Sequence, residues 1–233
     1  MPAKKATQNQ SKKRSNQSSQ SGGHNRKFVC EFKNEAQGLA WAAFQQHDVL
    51  FLVGPAGTGK THLACAFAVE QILSKQRKRI IMTRPIVEAG ESLGFLPGDL
   101  EEKIHPYMVP MHDCLNKLVG HQGTDREKIE NALEAVPLAY MRGRTFDDAI
   151  CIFDEVQNAS LLQLKMFLTR FGENSKLIIT GDPMQSDLGG EVALMNVMNR
   201  LVPSTEGVGK VHFGKSAIVR HPLVGKIIEK LEE

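Results

Sequence analysis

"GPAGTGKT", residues 54–61, stands between the apolar run "VLFLV" (49–53) and "HLACAFAVEQIL" (62–73). A short apolar run reads as a buried strand, and the long run after the loop reads as a helix carrying Leu63, Phe67 and Ile72 with small alanines between them. The eight residues have the spacing G-x-x-x-x-G-K-[ST] of a phosphate-binding loop, in the strand-to-helix setting that such a loop needs. Glycines at 54, 57 and 59 allow backbone angles that a Cβ obstructs. The stretch Gly54, Pro55, Ala56, Gly57, Thr58, Gly59 is thereby expected to turn successive N–H groups inward as a nest for phosphate oxygens. The helix that follows adds its positive end. Lys60 is expected to reach the β- and γ-phosphates of a nucleotide, and Thr61 to offer its hydroxyl to Mg²⁺.

The same alternation recurs outward from this loop. Apolar runs at 80–83 ("IIMT"), 149–153 ("AICIF") and 176–180 ("KLIIT") read as strands buried on both faces, as in a parallel sheet. Helix patterns lie at 34–46 and after Ser160, where Ser160 and Gln163 form a capping box and Leu161, Leu164, Leu168 and Phe171 form a stripe ending at Gly172. The fold class expected is α/β, a mostly parallel sheet flanked by helices with ligands at the carboxyl ends of the strands. The run 149–153 ends in Asp154-Glu155, which places an acid for Mg²⁺ (Asp154) beside one that can orient or deprotonate a water (Glu155). The run 176–180 leads into "GDPMQ", where the Gln185 amide can donate to a γ-phosphate and accept from an attacking water.

Composition bounds the rest. With 233 residues and 41% hydrophobic content the chain can bury a real core, and no run approaches the roughly 20 apolar residues of a membrane span. Residues 1–27 carry seven basic side chains and no acid, while the whole chain is only +3, so the remainder is net −4. This tail lacks the apolar residues to fold and is expected to be disordered; its charge suits either a solvated extension or contact with an anionic strand. Residues 28–233 are expected to form one domain with an irregular insertion around 86–145, in which "GFLPGDLEEKIHPY" (94–107) reads as a loop into a helix, Thr124 and Glu127 suggest a capping box and "AYMRGRTFDD" a surface excursion. "VHF", "AIV" and a last helix over 222–233 follow. The four scattered cysteines read as ordinary buried thiols in a reducing, cytoplasmic setting, and the histidines show no metal-ligand spacing.

Taken together, "GPAGTGKT", "TRPIVEAGESLGFLPGDLEEKIHPY" (83–107), "PLAYMRGRTFDDA" (137–149), "FDEVQN" (153–158), "KMFLTRFGENSKLIITGD" (165–182) and "VRHPLV" (219–224) resemble the PhoH-like family of P-loop ATPases. The likeness runs from about Val49 to Ile228. It departs in Val156, where the family usually has Ala, and is poor over 189–202. The family is similar to the motor core of superfamily 1 helicases. The resemblance implies a RecA-like fold, ATP hydrolysis with Mg²⁺, a role on or with RNA or another single strand, and homo-oligomers that include hexameric rings. It places Gln37 where helicase-like proteins read adenine; a solvated helix glutamine is the plain alternative. It places Arg84 near the nucleic-acid side and makes Arg220 a candidate γ-phosphate contact, with Arg142 and Arg144 serving nucleic acid or a neighbour's nucleotide. A nucleotide-gated binding or assembly protein with slow turnover, or a small-molecule kinase, would use the same loop; Glu155 and Gln185 favour hydrolysis.

Overall fold

The computed structural model describes residues 30–85, 100–120, 122–185 and 193–219, without the side chains of 100–104. In chain order the elements are α1 (Glu35–Gln46), β1 (Val49–Val53), α2 (Lys60–Leu73), β2 (Arg79–Thr83), α3 (Leu100–Val119), α4 (Thr124–Ala132), β3 (Leu133–Ala135), β4 (Ala149–Phe153), α5 (Leu161–Leu168), β5 (Lys176–Gly181), α6 (Ala193–Leu201) and β6 (Val208–His212). The sheet runs β3-β2-β4-β5-β1-β6 and every pairing is parallel.

Alternation along each strand sorts its side chains into two cores. Leu50, Leu52, Ile80, Met82, Ile150 and Ile152 pack with α1 and α2 on one face. Phe51, Val53, Ile81, Cys151, Phe153 and Ile179 pack with α5 and α6 on the other. Both faces are dry, which is why these strands read as unbroken apolar runs. Register then fixes where the strands stop. Val53 lies beside Gly181 and His212, and Thr83 beside Phe153. The residues that follow, Gly54, Arg84, Asp154 and Asp182, therefore line one carboxyl edge.

Several expectations are corrected. Within 100–145 the described residues hold two helices and the edge strand β3, which pairs with β2. Helix α3 contains Pro106 and Pro110, each of which lacks a backbone donor. It persists because Met108, Met111 and Leu115 bury one face in the core shared with α2, and tertiary burial outweighs local propensity. Thr124 does not cap α4: the cap position is Gly123, with no side-chain hydrogen bond, and Thr124 is already helical. The capping box at Ser160 and Gln163 is formed, but α5 ends at Leu168. Its buried face is Leu164 and Phe167; Leu161 and Phe171 are exposed. Gly172 is not a helix stop but a close approach, since a Cβ there would run into Asp147 and the Phe146 carbonyl. "AYMRGRTFDD" is not wholly superficial, because Met141 and Phe146 are buried in the second core. The basic tail, the helix read over 222–233 and Arg220 lie outside the described residues.

Candidate nucleotide-binding site

At the end of β1 the chain turns through Gly54, whose φ of +146° and contact with the Phe213 carbonyl leave no room for a side chain. Thr58 closes the loop by donating to the Pro55 carbonyl at 3.0 Å, and Val219 N–H donates to the Gly57 carbonyl at 3.0 Å. Gly59 is the N-cap of α2 in the left-handed region, so α2 begins with Lys60 and Thr61. The Lys60 ammonium donates to the carbonyls of Gly54 and Pro55, at 2.6 and 2.9 Å. It is thus held over the concave side of the loop, where a phosphate would compete for it.

Gln37 is 4% exposed, which overturns the solvated-helix alternative. Its amide oxygen accepts from the Lys33 N–H at 2.7 Å and its amide nitrogen donates to the Thr58 carbonyl at 3.2 Å, so it braces the loop against α1.

The second half of the site comes from β4. The Thr61 hydroxyl donates to Asp154 Oδ1 at 2.8 Å, and the Thr180 hydroxyl donates to the same oxygen. Asp154 is buried, and burial, reinforced by the Glu155 charge, raises its carboxyl above the usual range despite those two hydrogen bonds. Glu155 has φ +53°, a left-handed conformation unusual for a residue with a side chain. Its carboxylate is held from both sides: Gln157 donates to Oε2 at 2.5 Å, and Arg84 lies 3.6 Å from Oε1. Gln157 in turn accepts from the Asp182 N–H at 3.1 Å, which ties Glu155 to the end of β5. Gln185 sits on the turn after β5, its N–H donating to the Asp182 carbonyl at 3.2 Å.

These groups enclose a cavity of about 500 Å³ lined by the loop and by Asp154, Glu155, Asp182 and Gln185. Gln37 lines it too. Arg142 and Arg144 do not; Arg144 pairs with Glu134 at 2.7 Å and stacks over Phe146. Sequence reasoning missed Gln157, Thr180 and the outer wall of His62, Cys114 and Lys117. Gln157 was within reach as the polar residue two after Glu155. The outer wall carried no local signal, because Cys114 and Lys117 arrive from α3.

The profile of the family described as PhoH-like protein matches residues 29–232. The chain belongs to the PhoH-like family. It is 49% identical over 193 residues to a PhoH-like protein of Bacillus subtilis and 44% identical over 196 residues to Protein PhoH of Escherichia coli. Each alignment takes in 82% of this chain but only 60% and 55% of those relatives, so the chain spans little more than half their length. Among solved structures, the large terminase of a thermophilic bacteriophage superposes with a TM-score of 0.57 at 13% identity, over 86% of this chain and 50% of that one. A second crystal of that terminase, in complex with ADP, gives 0.54 at 11% identity, over 85% and 50%. The fold of this PhoH-like chain is that of a RecA-like P-loop NTPase. No helix among the described residues is long and apolar enough to cross a membrane.

The donor set fits a hard divalent cation such as Mg²⁺. Thr61 and Asp154 offer oxygens, Asp154 is a buried carboxyl with no cationic partner in contact among the described residues, and the buried Thr83 hydroxyl, at the end of the neighbouring strand, finds no partner among them either. One consequence is measurable in the absence of divalent metal. A carboxyl whose folded pKa is raised favours the protonated folded state, so its penalty is absent below the unfolded value and grows as pH rises toward the folded one. Asp154→Asn removes that penalty while keeping the acceptor for Thr61 and Thr180. The expected gain is about 1 kcal/mol, a Tm rise of roughly 2–4 °C at pH 8 in chelator, and a smaller one at pH 5. A Tm at or below wild type at both pH values would overturn this account of Asp154.

Proposed function

We propose that this PhoH-like chain is an ATPase that hydrolyses ATP with Mg²⁺ in the cavity at the strand ends and couples turnover to RNA or another single strand. The observation that carries the reading is the convergence, on one cavity, of the Lys60 ammonium, the Thr61–Asp154 pair and the Glu155 carboxylate. The loop N–H groups and Lys60 bind the phosphates and keep the γ-phosphoryl group in place. Thr61 and Asp154 would hold Mg²⁺, which would supply positive charge against the phosphate groups. Glu155 takes a proton from the water that attacks the γ-phosphorus, Gln185 orients that water, and the bond to the β-phosphate oxygen breaks to release ADP. Gln37, which lines the cavity, reads the base, as the family resemblance implies. The water-directed pair Glu155 and Gln185 favours hydrolysis over transfer to a second substrate.

The seven basic residues of the tail and the family resemblance support an anionic strand as partner. Arg84 links the two functions, because a strand phosphate near it would compete with Glu155. Arg142 and Arg144 lie off this cavity, where they can serve a strand or a neighbouring copy in a ring; Arg220 is the remaining arginine candidate. The four cysteines, none in a disulfide, suit a cytoplasmic setting. A second reading, nucleotide-gated assembly with slow turnover, is favoured by one feature: both oxygens of Glu155 are already engaged.

Phosphate release, measured with Mg²⁺-ATP alone and with single-stranded RNA, single-stranded DNA or duplexes, tests these readings alongside a mass measurement of the assembly. Turnover that rises with RNA is expected. Nucleotide binding with no turnover under any condition favours the gated reading, and no nucleotide binding overturns both.

A further inference from the structure

One histidine and two half-buried cysteines stand beside the nucleotide cavity: Cys30 against His62, and Cys114 on the cavity wall that His62 also lines. Helix α2 carries Thr61, His62 and Cys65 on its first turns. Cys30, just before α1, brings its Sγ to 3.6 Å from His62 Nε2. Helix α3 packs on α2 and contributes Cys114, which is half-buried and lines the same cavity as His62. Lys117 follows one turn later, and His62, Cys114 and Lys117 all line the cavity. The expectation of ordinary buried thiols therefore holds for two positions only: Cys65 and Cys151 are buried, whereas Cys30 and Cys114 are half-buried.

The four thiols differ in what surrounds them. Cys151, inside β4, is pushed up to about 12 by burial. Cys65 is raised by its hydrogen bond to Cys114 and by burial. Cys114 receives the opposite treatment: hydrogen bonding from Cys65, then from His62, together with the Lys117 charge, lowers it against the push of its own burial. A thiol becomes a nucleophile where donors and positive charge gather and where a reagent can reach it. Cys65 has the neighbours without the access. Cys114 alone of the four lines a cavity that admits small molecules, and it does so beside His62 and Lys117.

We propose that Cys114 is a covalent modification site for soft electrophiles on the wall of the nucleotide cavity, and that its modification and the seating of nucleotide exclude one another. The first clause stands on the thiol cluster; the second rests on the proposed reading of the cavity. With iodoacetamide as electrophile, the Cys114 sulfur attacks the methylene carbon, an S–C bond forms, the C–I bond breaks, iodide leaves with its electron pair and the thiol proton goes to solvent. The added amide occupies space shared with the first turn of α2, against Lys60 and Thr61.

The test is site-resolved mass spectrometry of the wild-type full chain during limited iodoacetamide treatment, with and without Mg²⁺-ATP, in parallel with direct binding of a fluorescent ATP analogue. Cys114 is expected to label first, ahead of Cys30, with Cys65 and Cys151 unlabelled until the chain is denatured. Nucleotide at about ten times its Kd is expected to slow Cys114 roughly tenfold, the fraction left open by mass action. Chain labelled at Cys114 alone is expected to lose binding of the analogue. Cys30 or Cys65 labelling before Cys114 overturns the site. If the analogue binds but Cys114 labels at the same rate with and without it, the exclusion is overturned while the nucleotide reading stands. If the analogue does not bind to unmodified chain, the nucleotide reading and the exclusion fall together, and the order of labelling still decides the site.

Discussion

Lys60→Ala is expected to lower nucleotide turnover by at least about 10²–10³-fold, the scale on which one preorganised donor acts on developing charge. Lys60 opens α2 and its ammonium already lies over the loop, bonded to the Gly54 and Pro55 carbonyls. Those neutral acceptors are weaker partners than phosphate oxygens, so bound nucleotide would draw the same ammonium onto itself. Alanine removes the charge and also the tie across the loop. A thermal melt separates the two effects: the core does not include Lys60, so Tm should move little while turnover collapses. Turnover at the wild-type rate in Lys60→Ala would remove the cavity from consideration as the hydrolytic site. Loss of turnover with a large fall in Tm would point instead to a loop that cannot hold its shape without the lysine.

Glu155→Gln is expected to separate binding from chemistry. Glutamine keeps the size of the side chain and its acceptor oxygen but cannot take a proton. Hydrolysis should fall roughly 10²-fold or more, the contribution of a positioned general base, while ATP binding persists and ATP can be recovered intact from the protein. The surroundings sharpen the expectation. Glu155 sits in a left-handed backbone conformation with its carboxylate clasped by Gln157 and faced by Arg84. The Gln157 amide can still donate to the new side chain's oxygen, so the fold at the end of β4 should survive. The Arg84 pair loses its charge, and any effect of a nucleic-acid strand transmitted through Arg84 should weaken with it. If Glu155→Gln abolishes ATP binding, Glu155 acts on the metal or on the fold rather than on water.

Much of the architecture was legible without coordinates, for a physical reason that differs between elements. Strands β1 and β4 coincide with the apolar runs 49–53 and 149–153 because a central parallel strand is dry on both faces, and its ends are marked where polar residues return. The loop at 54–61 was legible because phosphate binding asks for backbone freedom and a lysine at fixed local spacing. The Ser160–Gln163 box was legible because both of its hydrogen bonds close within one turn. Helix α3 was legible only where the chain enters it, because its two prolines argue against continuing a helix locally and only the burial of Met108, Met111 and Leu115 against α2 carries it on to Val119.

The candidate site divides along the same line. The sequence by itself determined which residues are candidates for the chemistry: Lys60 and Thr61 by their place in the loop, Asp154 and Glu155 by ending a buried run. Only the tertiary structure decided what those residues touch. Thr61 meets Asp154 across 93 positions of chain, Gln157 fastens Glu155 to Asp182 across 25, and Cys114 comes from a different helix to the cavity that His62 lines. Such contacts depend on strand register and helix packing. Both are set by burial summed over the whole sheet, and no local spacing records them.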